Sequence, residues 1–269
     1  MIRRCGVIGS PIAHSLSPAL HRAAYESLGL DWSYERYEVR ADEVPGFVAG
    51  LDPAWRGLSV TMPCKTAVVS LGRPDPVVAA LGVANTVVFD GDPGDPGTTT
   101  LHNTDVSGMR MILTDAGLTT DFSVLLYGNG ATARSCVYAL SLMGVSRVQV
   151  RARNDTTTCR LASDAAGWGI EVIPFDSALP PADVLISTVP ADVAGAWGTA
   201  GCSLVADVLY NPWPTPLAVQ AECEGVPLLT GLDLLAAQAV GQVELMTGCA
   251  VEFSLLRAAA DQALHDRHR

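Results

Sequence analysis

The stretch Ser123–Arg134 constrains the fold of this chain more than any other, because it reads as a strand, a glycine turn and the start of a helix. Val124–Leu126 form an apolar run typical of a buried strand. The segment Gly128–Ala133 then has the pattern Gly-x-Gly-x-x-Ala, and helix-forming residues continue to a natural end at Gly144. Such a turn lets backbone N–H groups at a helix start approach a dinucleotide pyrophosphate. A ligand-free strand-to-helix turn of an ordinary α/β protein is the alternative interpretation.

The residues after the next predicted strand, Arg147–Val150, bear on which dinucleotide would bind. In a dinucleotide-binding fold this strand ends beside the adenine ribose, where an acidic residue favours NAD and an arginine favours NADP. Arg151 and Arg153 precede the first acidic residue, Asp155. The sequence therefore favours NADP (NADPH). An Asp155 that reached the ribose, with the arginines merely solvated, would favour NAD instead.

Composition and charge exclude several classes of partner. The 269 residues are 49% hydrophobic and carry a formal net charge of -11, with no basic stripe, so we expect no nucleic-acid partner. No apolar run approaches the roughly 18–20 residues of a membrane span, so we expect no membrane partner. The seven cysteines are scattered without a Cys-x-x-Cys pair, which favours reduced thiols, a cytoplasmic location and no metal site.

Lys65 is the only lysine among the 17 Lys and Arg residues. The chain uses arginine wherever a generic cation serves, and arginine is effectively always protonated, whereas lysine can lose its proton. A single retained lysine is therefore a candidate acid/base group, and chance retention at the surface is the alternative. Lys65 follows the strand-like segment Leu58–Thr61, so we expect it near the carboxyl end of a strand.

The loop after the first predicted strand, Cys5–Ile8, adds hydroxyl candidates. Ser17 can cap the helix that Pro18 opens and Gly29 ends. Capping does not explain Ser15, whose hydroxyl at a strand end suits a polyol or a carboxylate ligand.

Asn85 and Asp105 flank a predicted hairpin. Asn85 begins a β-branched run, and a turn-rich segment and a returning strand lead from there to Asp105, where helical periodicity begins. An aspartate at this point is the expected helix cap, so a capping role and a functional role stay open.

Taken in order, these segments resemble the shikimate dehydrogenase family nearly from end to end. The resemblance rests on motifs that are specific together although each alone is weak. They are Ser15-Leu16-Ser17-Pro18, Ser59-Val60-Thr61-Met62-Pro63-Cys64-Lys65, Val83-Ala84-Asn85-Thr86, Asn103-Thr104-Asp105, the Gly128 turn and Gly231-Leu232-Asp233-Leu234-Leu235-Ala236-Ala237-Gln238.

The resemblance implies an oxidoreductase that interconverts 3-dehydroshikimate and shikimate with NADPH/NADP in aromatic amino-acid (chorismate) biosynthesis. It implies that Lys65 and Asp105 are the catalytic pair. It further implies that Ser15, Ser17, Thr61, Asn85, Tyr210 and Gln238 bind the substrate, and that Gly128, Asn129, Gly130, Ala131, Thr132, Arg153, Asn154, Val208 and Gly231 bind NADP. A homodimer stays open, because the sequence carries no indication of oligomeric state.

Several positions depart from the family pattern. Ser59 stands where the family usually has Asn, and Asn129 and Ala131 replace the Ala and Gly of its usual turn. The phosphate-binding Arg153 is retained while its flanks differ, and Ser187–Pro190 replaces the usual Asn-x-Thr-Pro. All of these except Ser59 lie in the cofactor half. Two alternatives therefore stay open, namely a relative that prefers quinate or NAD, and a non-catalytic paralogue that binds a shikimate-like ligand.

We therefore predict a two-domain α/β fold. Residues 1–105, completed by helices within 234–269, form an N-terminal α/β substrate-binding and catalytic domain. Residues 106–233 form a doubly wound, Rossmann-like NADP-binding domain of alternating strands and helices. The tail Leu264–Arg269 is expected to be a frayed terminus.

Overall fold

The computed structural model describes residues 3–153, 170–174 and 177–267. The chain separates into two compact units, one made of Met1–Gly108 with Leu235–Arg269 and the other of Met109–Leu234. The predicted cofactor residue Asn154 and the acidic Asp155 lie outside the described residues, as does the segment Thr158–Ala166, whose sequence pattern predicts a helix. Among the described residues, no helix combines the length and the hydropathy needed to cross a membrane.

The first unit contains a mixed six-stranded sheet in the order β2-β1-β3-β5-β6-β4. β1, β2 and β3 are parallel, β5 is antiparallel to β3 and β6, and the short β4 is parallel to β6. The central strands β1 and β3 are largely buried, as expected for strands covered on both faces. The strands are β1 (Arg3–Gly9), β2 (Trp32–Glu38), β3 (Trp55–Val60), β4 (Arg73–Pro74), β5 (Thr86–Phe89) and β6 (Thr99–His102).

In one core of the first unit the sheet residues Ile8, Leu58, Val87 and Leu101 are fully buried, and the unit also contains helices. They are α1 (Ser17–Ser27), α2 (Val44–Ala49), a 3-10 helix (Ala67–Leu71), α3 (Pro76–Leu81) and α9 (Phe253–Arg267). Two more helices, α4 (Thr104–Asp115) and α8 (Gly231–Thr247), contain the residues where the chain passes between the units.

The second unit contains a parallel sheet in the order β12-β11-β10-β7-β8-β9. Numbered from the first strand of this unit, the order is 6-5-4-1-2-3, which is that of doubly wound dinucleotide-binding sheets. The predicted fold class is therefore confirmed. The elements are β7 (Ser123–Tyr127), α5 (Ala131–Leu142), β8 (Arg147–Arg151), β9 (Ile170–Val172), β10 (Val184–Ser187), α6 (Ala191–Trp197), β11 (Leu204–Asp207), α7 (Pro216–Glu224) and β12 (Leu228–Thr230).

Two expectations at the ends of helices are wrong. Ser17 does not cap α1, because Leu16 already has helical backbone angles and the helix begins at Ser17 itself. The hydroxyl of Ser15 accepts the N–H of Ser17 instead, at 3.3 Å. The tail is not frayed up to Arg267, since α9 continues to that residue and its guanidinium donates to the carbonyl oxygen of Ser15 at 3.2 Å.

Candidate active site

Lys65 and Asp105 form an ion pair in the first unit, with Lys65 Nζ 2.5 Å from Asp105 Oδ2. Lys65 lies just beyond β3, after a turn closed by the N–H of Cys64 on the carbonyl oxygen of Thr61 at 2.8 Å. The two side chains are 12% and 9% exposed, so the pair is shielded from bulk water but can still be reached. A lysine and a carboxylate at this separation can hold and transfer a proton.

Asn103, rather than Asp105, caps helix α4. The helix begins at Thr104, and Asn103 Oδ1 accepts the backbone N–H of Asp105 at 3.2 Å. Asn103 Nδ2 donates to the carbonyl oxygen of Val83 at 3.0 Å, which fixes the capping amide. The capping interpretation of Asp105 is therefore wrong, and its carboxylate is available to Lys65.

Asn85 orients the carboxylate of Asp105. Asn85 Nδ2 donates to Asp105 Oδ1 at 2.8 Å and lies 3.3 Å from Gln238 Oε1. Asn85 Oδ1 accepts the backbone N–H of Thr104 at 2.8 Å and the hydroxyl of Thr86 at 2.8 Å. A backbone N–H can only donate, so the amide of Asn85 has one orientation, with its NH2 group toward Asp105. The structure thus brings Lys65, Asp105, Asn85 and Gln238 together.

Ser15 and Ser17 form a second polar cluster in the same unit, with their hydroxyl oxygens 3.3 Å apart. Both serines are buried. The carbonyl oxygen of Ser15 accepts from Arg36 Nε at 2.7 Å as well as from Arg267, so two guanidinium groups stand behind this loop. They bring positive charge to a chain with a net charge of -11, which would favour an anionic ligand at the two hydroxyls.

Thr61 packs against the backbone of β1. A Cβ atom added at Gly9 would lie 2.4 Å from Thr61 Cγ2, so only a glycine leaves room for this side chain. The backbone N–H of Thr61 donates to the carbonyl oxygen of Ile8 at 2.9 Å. The predicted Thr61 site therefore lies at the shared carboxyl end of β1 and β3.

Tyr34, Ser59 and Gln242, which are not among the predicted site residues, are buried and hydrogen-bonded to one another in the first unit. The hydroxyl of Tyr34 donates to Ser59 Oγ at 2.5 Å, and Ser59 donates to Gln242 Oε1 at 2.7 Å. Gln242 Nε2 donates to the carbonyl oxygen of Asn85 and to the hydroxyl of Thr86, both at 3.1 Å. Through the contacts of Gln242 with the Asn85 carbonyl oxygen and with Thr86, this network holds Asn85 in place. In the sequence, Gln242 stands four residues after Gln238 in an otherwise apolar helix, and this spacing could have indicated that both glutamines face the site.

His21 completes this network. Its Nε2 lies 3.2 Å from Gln242 Oε1 and its ring stacks on Tyr34 with centroids 4.1 Å apart. A carbonyl oxygen only accepts, so Nε2 carries the proton. Burial lowers the pKa of His21 to about 4, although the bond to Gln242 opposes this shift. The imidazole is therefore neutral at physiological pH.

The glycine turn in the second unit has the backbone geometry of a phosphate cradle. Gly128 has φ +112°, and a Cβ atom there would lie 2.3 Å from Thr188 Oγ1. Gly130 is the N-cap residue of α5, and a Cβ at Gly130 would meet nothing within 4 Å, so the helix start is open. Ala131 and Thr132 form the first turn of that helix, where backbone N–H groups are free of intrahelical partners.

A cavity of about 240 Å³ lies beside this turn. It is lined by Gly128, Asn129, Gly130, Ala152, Arg153, Thr188, Val189, Pro190 and Trp197. Arg153 is exposed, and it follows the end of β8 where the predicted ribose would lie. Four of the predicted cofactor residues thus line one cavity. The charge and open backbone of this cavity fit the phosphorylated end of a dinucleotide.

The loop after β11 brings two further predicted cofactor residues together. A Cβ atom at Gly231 would lie 2.5 Å from the carbonyl oxygen of Val208, so the two backbones are in close contact. Asp207 is fully buried and accepts from the hydroxyl of Thr215 at 2.6 Å. Burial raises the pKa of Asp207, although its hydrogen bonds lower it. Because Asp207 begins the loop that carries Tyr210 and bonds to Thr215 at its end, it holds the two ends of this loop together.

Comparison with known proteins places the chain in a family. Residues 7–87 match the shikimate dehydrogenase substrate binding domain. A protein of Citrifermentans bemidjiense named shikimate dehydrogenase (NADP(+)) is 36% identical, and the match covers 90% of this chain and 89% of that protein. The crystal structure of Mycobacterium tuberculosis shikimate dehydrogenase is 37% identical with a TM-score of 0.88, covering 97% of this chain and 99% of that chain.

A second solved structure adds ligands to the comparison. The shikimate 5-dehydrogenase of Thermus thermophilus, in complex with NADP(H) and shikimate, is 29% identical with a TM-score of 0.83. The match covers 97% of this chain and 100% of that one. With its doubly wound sheet and its relatives matched over nearly their whole length, this chain belongs to the shikimate dehydrogenase family.

Proposed function

We propose that this protein is an NADP-dependent shikimate dehydrogenase, which interconverts 3-dehydroshikimate and shikimate in aromatic amino-acid biosynthesis. The observation that carries the proposal is the shielded Lys65–Asp105 pair, whose carboxylate is held by Asn85. Family membership supplies the substrate class, since relatives matched over nine-tenths of the chain carry this name.

Lys65 and Asp105 would divide the proton chemistry. Oxidation of a secondary alcohol moves a hydride from carbon and a proton from oxygen, and a bound nicotinamide supplies the hydride acceptor. Lys65 takes the hydroxyl proton in this direction and returns it to the carbonyl oxygen in the reverse direction. Asp105 orients the amine of Lys65 through the 2.5 Å contact.

The remaining polar residues of the first unit would hold the substrate. We assign Ser15 and Ser17 to the carboxylate, because Arg36 and Arg267 bring positive charge behind this loop. The ring hydroxyls would be bound by Thr61, Asn85 and Gln238, joined by Tyr210. Residues 1–105 with 234–269 thus serve as the substrate-binding and catalytic domain.

Residues 106–233 would bind NADP. The segment Gly128–Thr132 would cradle the pyrophosphate with its backbone N–H groups. Arg153, with Asn154 beside it in sequence, would hold the 2′-phosphate, and its place in the cavity wall supports this role. Val208 and Gly231 would lie at the nicotinamide. A cytoplasmic location and a homodimer complete the proposal, and light scattering on the purified protein tests the dimer.

A relative that prefers quinate, NAD or both is the second candidate function. The departure at Ser59 keeps the substrate preference open, because this position usually carries Asn in the family, and here its hydroxyl is bonded to Tyr34 and Gln242.

A four-way assay separates these functions. The purified protein is offered shikimate or quinate, each with NADP or NAD, and nicotinamide reduction is followed by absorbance. Turnover confined to shikimate with NADP supports the proposal, and turnover with quinate or NAD moves the assignment to the second candidate. Shikimate binding by calorimetry without turnover in any combination would indicate a non-catalytic paralogue. Lys65→Ala should reduce turnover by roughly 10² or more, and near-native turnover would remove Lys65 from the mechanism.

A further inference from the structure

The cavity beside the glycine turn has an aromatic wall. Among the described residues that line it, Trp197 is the only aromatic one, and it shares the cavity with the phosphate-binding candidates Gly128 and Gly130. Trp197 is the last residue of α6 and is half-buried. A large ring that stays partly accessible in a ligand cavity is available for contact with a flat ligand group.

Two residues outside the cavity lining hold this indole ring in place. Tyr127 meets Trp197 edge to face, with centroids 4.7 Å apart and planes at 78°. The guanidinium of Arg151 lies 5.0 Å from the ring centroid, within the range of a cation–π contact. The hydroxyl of Tyr127 also donates to the carbonyl oxygen of Gly198, which follows Trp197. The ring is therefore preorganised before any ligand arrives.

The chemistry of the cavity identifies the ligand group. At about 240 Å³ it is smaller than the roughly 300–1,000 Å³ of pockets that enclose a whole ligand, so it accommodates one part of a dinucleotide. Arg153 and the open start of α5 suit phosphate groups. Nucleobases have apolar faces that pack favourably on tryptophan. The part that combines a base with nearby phosphates is the adenosine end.

We propose that Trp197 packs against the adenine base of NADP, with Tyr127 and Arg151 as positioning residues. This inference rests on the proposed function, because it takes NADP as the cofactor. Arg151 also brings a positive charge close to the anionic nucleotide in a protein with a net charge of -11. Trp197 would then contribute affinity for the base, whereas Arg153 distinguishes NADP from NAD.

Calorimetry with cofactor fragments tests the division of roles. The ligands are adenosine 2′,5′-bisphosphate, 5′-AMP and nicotinamide mononucleotide. Trp197→Leu should weaken both adenine fragments by about the same factor, roughly 5- to 150-fold, which is the range for loss of base–aromatic stacking. It should leave nicotinamide mononucleotide unchanged. Arg153→Ala should weaken only the fragment with the 2′-phosphate.

The matched control is Trp32→Leu. Trp32 is also half-buried and also packs on a tyrosine, Tyr25, with centroids 5.5 Å apart, but it lies in the first unit. It should leave all three affinities unchanged. Equal affinities in Trp197→Leu and the native protein would overturn the inference, whereas a native protein that binds no adenine fragment would overturn NADP as the cofactor.

A second measurement does not depend on the folding of Trp197→Leu. The protein is labelled with 5-fluorotryptophan, and Trp197→Phe identifies the fluorine resonance of Trp197. Addition of adenosine 2′,5′-bisphosphate should shift that resonance and leave the Trp32 resonance in place. An unshifted Trp197 resonance at saturating fragment would contradict the proposed contact.

Discussion

Replacement of Asp105 by asparagine is the sharpest test of the catalytic pair. Asp105 accepts two hydrogen bonds from groups that can only donate at these positions, Lys65 Nζ at 2.5 Å and Asn85 Nδ2 at 2.8 Å. Asparagine has nearly the same shape but only one carbonyl oxygen. Its NH2 group must therefore face one of the two donors, and one hydrogen bond is lost whichever way the amide turns.

The size of the effect follows from these contacts. A hydrogen bond to a charged group contributes about 1.5–3 kcal/mol, so the free energy of unfolding should fall by about that amount in Asp105→Asn. The upper part of the range is expected, because the side chain of Lys65 is only 12% exposed and loses the carboxylate that faces it. Turnover should fall further, by about 10²–10⁴, since Lys65 is no longer held for proton transfer.

The assay compares kcat and KM for shikimate oxidation with the free energy of unfolding in denaturant. Asp115→Asn is the matched control, because it makes the same chemical change at the exposed last residue of the same helix, α4. It should change kcat by less than about twofold, as for a surface substitution. An Asp105→Asn protein with native kcat would refute the catalytic role, and a loss of stability with unchanged kcat would make the pair purely structural.

Three further predictions concern stability and binding. The pKa of His21 is about 4 in the folded protein and 6.5 in the unfolded chain. As the pH falls from 6.5 to 4, only the unfolded chain takes up this proton, so the free energy of unfolding should drop by about 3 kcal/mol. His21→Phe should flatten this part of the unfolding profile, and an equally steep profile would contradict the assignment. Gly128→Ala should lower the melting temperature and abolish NADP binding in calorimetry, because φ is +112° and the new Cβ would lie 2.3 Å from Thr188 Oγ1. Gly130→Ala, where a Cβ would meet nothing within 4 Å, should lower stability much less. Arg267→Met should raise KM for shikimate several-fold and change KM for NADP little, because it removes a hydrogen bond to the Ser15 carbonyl oxygen that contributes about 1 kcal/mol. An unchanged KM for shikimate would show that Arg267 does not support the substrate-binding loop.

The features that sequence predicts best here are local ones. The strand, turn and helix of Ser123–Arg134 are contiguous, so their pattern predicts β7, α5 and the doubly wound sheet. Lys65 stands out as the only lysine and by its place at a strand end, and both observations are available without the fold. Short elements escape prediction for the same reason, since β4 has two residues and α6 has a glycine near its middle, which leaves too little periodicity to recognise.

Choices between neighbouring polar residues depend on the backbone and are the least predictable. Asn103 and Asp105 can each cap a helix, and only the start of α4 at Thr104 decides between them. The same holds for Ser15 and Ser17 at α1. The contact of Ser59 with Gln242 joins residues 183 positions apart, so no local pattern could indicate it.

The single lysine also has a practical consequence for chemical modification. Because Lys65 carries the only side-chain amine in the chain, an amine-directed reagent has one side-chain target, and that target is the amine paired with Asp105. The extent of acylation at this residue therefore reports how accessible the Lys65 amine is to the reagent. Bound substrate should lower the acylation of Lys65, which would be measured on one peptide of a proteolytic digest.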